Sequence, residues 1–236
     1  MPELSIAAFN LHWGVDMRGH EYDALAACRA LDADVLVLPE AWRPYGRTAM
    51  VDELAERIGG TLHGVTFMTD RDHARPRHLR VPPGPPGTCG LAMISRLPVR
   101  SFDEIMVPKT AGDVVDQRRS IVAEIDVDGT PVTVAGIHAS HRIWGSLPQL
   151  RVVDSELRRR GHPSVIAGDC NMWGPPIRLA LPHRRGAVRG RTWPAWRPHS
   201  QIDHIWIDDR MDVIEGRVGP HVGSDHRAIR ASLQVR

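Results

Sequence analysis

Several short apolar runs in this chain stop at a polar side chain able to bind an ion or move a proton. Residues 4–9 stop at Asn10, residues 35–39 at Glu40, residues 132–137 at His138, and residues 164–167 at Gly168-Asp169-Cys170-Asn171. Two further clusters sit at the start of such runs. Gln201-Ile202-Asp203-His204 opens into Ile205-Trp206-Ile207, and Gly223-Ser224-Asp225-His226 opens into Ala228-Ile229. The runs are short and rich in Val, Ile and Leu, so they read as strands rather than helices. A side chain at a strand end is held by a rigid sheet yet reaches solvent, where a reacting group can be fixed in place. A chain with this pattern has to build sheets and carries its chemistry at their strand ends.

The bulk properties suit one domain spanning 1–236, since β-rich layered folds reach this length as single units. Apolar residues make up 42% of the chain, enough for a sizeable core. Basic and acidic residues nearly balance, 30 against 28, so no global attraction to a polyanion is expected. Three widely spaced cysteines argue against a disulfide framework and fit a reducing compartment. No stretch is long and apolar enough to span a membrane, and the chain opens into a strand-like run without a basic, cleavable leader. The expectation is a cytoplasmic monomer.

Along the chain, residues 22–31 and 48–58 carry apolar side chains at helical spacing, as do residues 147–160. Strands are expected at 4–9, 34–38, 61–68, 90–94, 121–127, 131–137, 165–167, 202–207, 213–218 and 228–235. Asp128-Gly129 between two of them is a hairpin signal. Residues 70–87 and 173–200, rich in Pro and Arg, read as irregular. Many strands with a few interspersed helices suggest two packed sheets with helices outside.

The polar set suits phosphoester chemistry, which needs a cation for the phosphoryl oxygens, an oriented water and stabilised charge on the leaving side. Glu40 is a hard-oxygen ligand of the kind Mg²⁺ takes in ones or twos. Asp169 and Asn171, two apart, would share a face on an extended segment and pair a water-orienting carboxylate with a phosphate-holding amide. Gly168 before them allows close backbone approach; a plain turn would use the same residues. Asp203 and His226 are candidates for a dyad in which the carboxylate orients the ring and raises its pKa. Asp225 is a second metal-ligand candidate, although Ser224-Asp225-His226 also reads as a polar turn. His138 would stabilise or protonate developing charge; a surface histidine at a strand end looks the same from sequence. His204 reads as structural.

Taken in chain order, Asn10, Glu40, His138, Asp169, Asn171, Asp203, Asp225 and His226 form a set that resembles the endonuclease/exonuclease/phosphatase superfamily. The resemblance runs from Phe9-Asn10-Leu11 to Ser224-Asp225-His226. Gly168-Asp169-Cys170-Asn171 and Ser224-Asp225-His226 are its most specific parts, and residues 90–99 look like a structural strand of the family. It implies an α/β chain of α+β type: a four-layer α/β sandwich, two facing mixed β-sheets with helices outside. Glu40 would bind Mg²⁺ (or Mn²⁺), with Asn10 and Asp225 close to it. Asp169 would orient the water, Asn171 hold the phosphate, and His226, held by Asp203, stabilise the transition state or move a proton. His138 matches the histidine of the deoxyribonuclease, sphingomyelinase and 5-phosphatase branches. The position of its usual glutamate partner falls on Cys89, so the resemblance implies a His138 without that acid.

The irregular stretches supply candidate substrate contacts. The first holds Arg71, Arg75, Arg77, His78 and Arg80; the second holds Arg184, Arg185, Arg189, Arg191 and Arg197, with Trp193 and Trp196 between them. Arginines clamp phosphates and tryptophans stack on bases or lie along lipid or sugar faces. Because Lys109 is the only lysine, a general preference for arginine explains part of this. Arg184, Arg185, Trp193 and Arg197 are the substrate-binding candidates. The leading expectation is a divalent-metal-dependent phosphodiesterase acting on DNA or RNA. A phosphatase or sphingomyelinase-like enzyme on a small or lipid phosphoester is the first alternative, against which the lack of an apolar membrane hairpin counts. A catalytically inactive binding protein on the same fold is the second.

Overall fold

The computed structural model describes residues 1–69 and 86–236. In chain order its strands are β1 (Glu3–Ala8), β2 (Val35–Pro44), β3 (Thr61–Thr69), β4 (Gly87–Ser95), β5 (Val99–Met106), β6 (Arg119–Val127), β7 (Thr130–His138), β8 (Ser164–Asp169), β9 (Arg185–Gly186), β10 (Asp203–Ile207), β11 (Met211–Val218) and β12 (Ile229–Val235). The helices are α1 (Ala24–Arg29), α2 (Met50–Ile58), α3 (Ile143–Arg160) and α4 (Pro175–Ala180). Two six-stranded sheets result, one ordered β11-β12-β1-β2-β4-β3 and the other β5-β6-β7-β8-β10-β9. Each is mixed: β1–β2 and β7–β8 pair in parallel, their other pairs antiparallel. With helices on the outside, this is the four-layer α/β sandwich.

The burial pattern of the strands explains the layering. β12 alternates, burying Ile229, Ala231, Leu233 and Val235, which gives it one core face. β8 is buried throughout because both of its faces are covered. Between the sheets Ile6, Val37, Met93, Ile121, Val134, Val165, Ile205 and Leu233 pack into one cluster. A second cluster joins the outer face of the first sheet to α1 and α2 through Phe9, Leu36, Leu38, Cys28, Val51 and Leu54. A third joins the other sheet to α3 and α4 through Val122, Ile137, Ile166, Leu150, Val153 and Ile177. Each such fully buried aliphatic side chain is worth about 1.5–3 kcal/mol.

Asp128 and Gly129 turn β6 into β7 with φ of 50° and 85°, the paired positive angles of a two-residue hairpin. Helix α1 is shorter than its apolar spacing suggests, because Asp23 caps it by accepting from the N–H of Ala26 at 2.8 Å. Helix α3 begins at Ile143, earlier than the sequence pattern marks, with Pro148 inside it. The half-exposed β5 has no apolar signature and is a strand that the sequence pattern misses. The stretch 173–200 is irregular apart from α4 and β9. Most of the 70–87 segment, with its four arginines and His78, lies outside the described residues.

Strands β1, β2, β7 and β8 all run toward the same end of the sandwich, and β10 and β12 start there. Topology therefore brings the polar residues of the sequence pattern to one place. No helix among the described residues is long and apolar enough to cross a membrane.

Candidate active site

Glu40 does not stand at a strand end as the apolar run before it suggests. Strand β2 continues to Pro44, and Glu40 is the extra residue of a bulge, between Pro39 opposite Leu91 and Ala41 opposite Gly90. Its φ is 56°, a left-handed conformation costing a non-glycine residue about 1–2 kcal/mol. A bulge re-aims one side chain without ending the ladder. From here Glu40 meets Asn10, whose Nδ2 donates to Oε1 of Glu40 at 3.1 Å and to Oδ2 of Asp169 at 3.0 Å. Asn10 follows β1 and Asp169 ends β8, so this amide ties the ends of the two sheets together.

The Asp169 segment also differs from the extended pair expected. Asn171 takes φ 48°, and its backbone N–H donates to Oδ1 of Asp169 at 2.8 Å, so the strand closes in a tight turn. The turn, rather than strand alternation, keeps the two side chains together. Nδ2 of Asn171 donates to the Ala139 carbonyl at 3.0 Å. Gly168 serves as its sequence position suggests: its φ is 133°, and a Cβ there would lie 2.0 Å from the carbonyl oxygen of Ile137.

Asp203 and His226 form a buried pair, with Nδ1 of the ring 2.9 Å from Oδ2 of the carboxylate. On its other side Nε2 lies 3.8 Å from Oδ2 of Asp169. Burial alone would lower the His226 pKa, but Asp203 and Asp169 outweigh it and hold the ring well above its ordinary value. Asp169 is itself raised to about 7, chiefly by burial; His226 opposes that shift and Asp203 adds to it. His138 sits with Nε2 at 3.7 Å from Asp169 and 3.8 Å from Glu40. Burial, then the nearby Arg118, push it well below the usual imidazole value, so the ring is neutral. Its Nδ1 is buried without a hydrogen-bond partner among the described residues.

Asp225 completes the set. The indole N–H of Trp193 donates to its Oδ2 at 3.2 Å, while its Oδ1 is buried with no hydrogen-bond partner among the described residues. Burial raises the Glu40 pKa, and the charge of Asp225 raises it further. Two partly buried carboxylates that repel each other, one with an oxygen free of hydrogen bonds among the described residues, suit a hard divalent cation, and Asn10 lies beside them. Asp169, Asp203 and His226 also offer ligand atoms within 4.8 Å of one another, a cluster able to hold a divalent metal. The hydrogen bond between Asp203 and His226 uses that cluster internally, which leaves the Glu40–Asp225 side with the larger unmet demand for a cation.

Other residues take unexpected places. Arg184 is buried at the opposite end of the sheet, donating to Asp154 at 2.5 Å and to Oγ and the carbonyl of Ser164 at 3.0 Å each. Arg185 pairs with Asp212 at 2.7 Å, also away from the site. Neither guanidinium is left to grip a substrate at the cleft. Arg197 is exposed on the loop that carries Trp193. Thr192 on that loop is buried, and its Oγ1 accepts from the N–H of Ile202 at 3.2 Å and of Asp203 at 3.3 Å. Arg118 donates to the carbonyl of His138 at 3.2 Å and pairs with Asp113 at 2.8 Å. His204 is structural, as its sequence position suggests, its Nε2 lying 2.9 Å from the carbonyl of Met172. The supports from Trp193, Thr192 and Arg118 carry no sequence signal, because the distances in sequence to the groups they hold are uninformative.

Residues 7–226 match the Endonuclease/Exonuclease/phosphatase family. Among solved structures, an endonuclease/exonuclease/phosphatase from Beutenbergia cavernae is 22% identical, with TM-score 0.76, over 100% of this chain and 72% of that one. The human Nocturnin catalytic domain with bound sulfate is 15% identical, with TM-score 0.69, over 100% and 94%. A mannosyl-6-phosphatase from Bacteroides thetaiotaomicron is 14% identical, with TM-score 0.69, over 98% and 99%. These likenesses are likenesses of fold. No curated protein matches the sequence.

Proposed function

The chain belongs to the endonuclease/exonuclease/phosphatase family, and on that premise we propose that it hydrolyses a phosphodiester by in-line attack of one oriented water. The reading rests on one observation above all: the partly buried Glu40–Asp225 pair, one of whose oxygens has no hydrogen-bond partner among the described residues, beside Asp169 and the Asp203–His226 dyad. Glu40, Asp225 and Asn10 would hold Mg²⁺ or Mn²⁺, which when bound supplies Lewis-acid neutralisation of the phosphoryl oxygens. Asp169, with its pKa near 7, accepts the proton of the attacking water. His226, protonated and oriented by Asp203, donates to a phosphoryl oxygen and stabilises its growing charge. Asn171 has a second Nδ2 hydrogen free of the Ala139 bond for another phosphate oxygen. His138, neutral, donates one hydrogen bond to the same oxygens without adding charge. The water oxygen bonds to phosphorus, one ester P–O bond breaks, and the leaving alcohol takes up a proton.

For the substrate class, the arginine segments of the sequence favour nucleic acid, with exposed Arg189, Arg191 and Arg197 as the described support that remains. The burial of Arg184 and the pairing of Arg185 weaken that grip. A lipid phosphoester gains ground from the exposed tryptophans at the cleft end, Trp144, Trp173 and Trp196. The deciding experiment is hydrolysis of supercoiled plasmid and of a panel of small and lipid phosphoesters with Mg²⁺, Mn²⁺ or EDTA, beside Asp169→Asn. Metal-dependent turnover lost in the variant supports the site; turnover that survives EDTA and the substitution overturns it. Absence of both turnover and Mg²⁺ binding by calorimetry would point to a binding protein on this fold.

A further inference from the structure

The large apolar side chains that remain exposed are unevenly distributed. At the end of the sandwich opposite the cleft, the turns and loops among the described residues leave no large apolar side chain exposed apart from Met1 at the terminus. At the cleft end such side chains stand on separate segments: Met17 after β1, Val114 before β6, Trp144 in the first turn of α3, Trp173 after β8, Trp196 before β10 and Val222 before β12. Trp144 is 64% exposed, and Trp173 and Trp196 are each 52% exposed. Trp173 is two residues from Asn171, and Trp196 adjoins Ala195, whose N–H donates to the Asp225 carbonyl at 2.7 Å. The apolar tips therefore surround the reacting groups.

Exposed single apolar residues are ordinary, as Leu179 on α4 and Val213 and Ile214 on β11 are here; a ring of them with three indoles around one cleft marks an interaction surface. Because each tip comes from a different segment, the ring has no continuous groove for a peptide. A second copy seated on it would cover the cleft. Unpaired bases would stack on the three indoles, but Met17, Val114 and Val222 offer bases nothing. A lipid layer uses both kinds, since indoles favour the boundary between water and hydrocarbon and aliphatic tips enter beyond it. Exposed Arg142 and Arg197 stand beside Trp144 and Trp196, and exposed Arg47 follows β2 at the same end, none paired with a carboxylate among the described residues. The Arg142 guanidinium lies 5.6 Å from the centre of the Trp144 ring. This charge complements anionic headgroups.

We infer that the cleft end is an interfacial docking surface that seats on an anionic phospholipid layer and offers the site to phosphodiesters in that layer. The substrate half of this inference rests on the proposed phosphodiesterase reading; the docking half does not need turnover.

The test uses the Asp169→Asn protein, so that binding is read without hydrolysis. It is sedimented with vesicles of phosphatidylcholine alone and of phosphatidylcholine mixed with phosphatidylglycerol, at low and high salt. Binding to the mixed vesicles is expected, with affinity reduced at least ~10-fold when Trp144, Trp173 and Trp196 are replaced by serine. Arg197→Glu should weaken binding to the mixed vesicles more than to the neutral ones. A thermal melt of each variant, and unchanged hydrolysis of a soluble phosphodiester by the triple-serine protein carrying native Asp169, separate lost docking from lost fold or lost chemistry. Protein left in the supernatant at low salt overturns the inference, as does equal binding by the triple variant. Plasmid binding that depends on the three tryptophans while vesicle binding is absent transfers the surface to nucleic acid.

Discussion

Trp193 donates its indole N–H to one oxygen of Asp225 at 3.2 Å and leaves the other oxygen buried without a hydrogen-bond partner among the described residues. The bond decides which oxygen remains for a cation. Trp193→Phe keeps the ring and removes the donor. Support of this kind typically changes metal affinity about 10–100-fold. We expect Mn²⁺ affinity, measured by calorimetry, to fall within that range while the melting temperature without metal changes little. Unaltered affinity would leave the indole with a packing role only.

Glu40 is expected to trade stability for ion binding. Its folded pKa is raised by burial and by Asp225. A carboxyl raised on folding favours the native state below its unfolded value, and that contribution is lost as pH climbs through the folded value. At neutral pH this raised pKa therefore burdens the metal-free protein. Glu40→Gln should melt at the same temperature as the wild type or higher without metal, and gain less from added Mg²⁺. A large loss of stability in the metal-free variant would contradict the repulsion argument.

Asp169 gives the same sign with a defined window. Its pKa moves from an ordinary carboxyl value to about 7, and it faces His226, so the two titrate as a pair. The metal-free wild type should lose stability relative to Asp169→Asn as pH rises from about 4 toward 7. Turnover should fall about 10²–10⁴-fold in the variant, the usual scale for removing a general base. Melts across pH and initial rates test the two halves separately.

Arg118 and Asp113 should behave oppositely with pH. Both side chains are nearly inaccessible, and the guanidinium also holds the backbone carbonyl of His138. Burial of Asp113 works against its charge, but the bonds and charge of Arg118 prevail and set its pKa well below the usual carboxylate range. That stability is present above pH ~4 and is lost as pH falls toward the lowered value. Arg118→Met leaves a buried carboxylate unpaired and should cost about 3–5 kcal/mol at neutral pH. Urea titrations at neutral and acid pH would register it, the variant's deficit shrinking in acid.

The layers were legible because they follow periodicity. Alternation in β12, the continuous apolar runs of β2 and β8, and Asp128-Gly129 each announce a local structure with a physical cause. The polar residues were legible because each interrupts an apolar run. Glu40 was found by that interruption but misplaced, since a bulge changes the count of residues across a pair and leaves no trace in one strand's own sequence. Arg184 was misread because arginine looks alike in a solvated loop and in a buried pair with Asp154. The ring of exposed side chains was hidden for a related reason: its members lie far apart in the chain and meet only when the strand directions are known.

The bulge at Glu40 also separates inheritance of shape from inheritance of activity. Every neighbour of Glu40 in β2 answers to a residue across the ladder, whereas Glu40 answers to none. Its identity can change without a compensating change in β4. A descendant that lost this carboxylate would keep the same sheets, the same layers and the same outline, and only its silence in an assay would betray the loss.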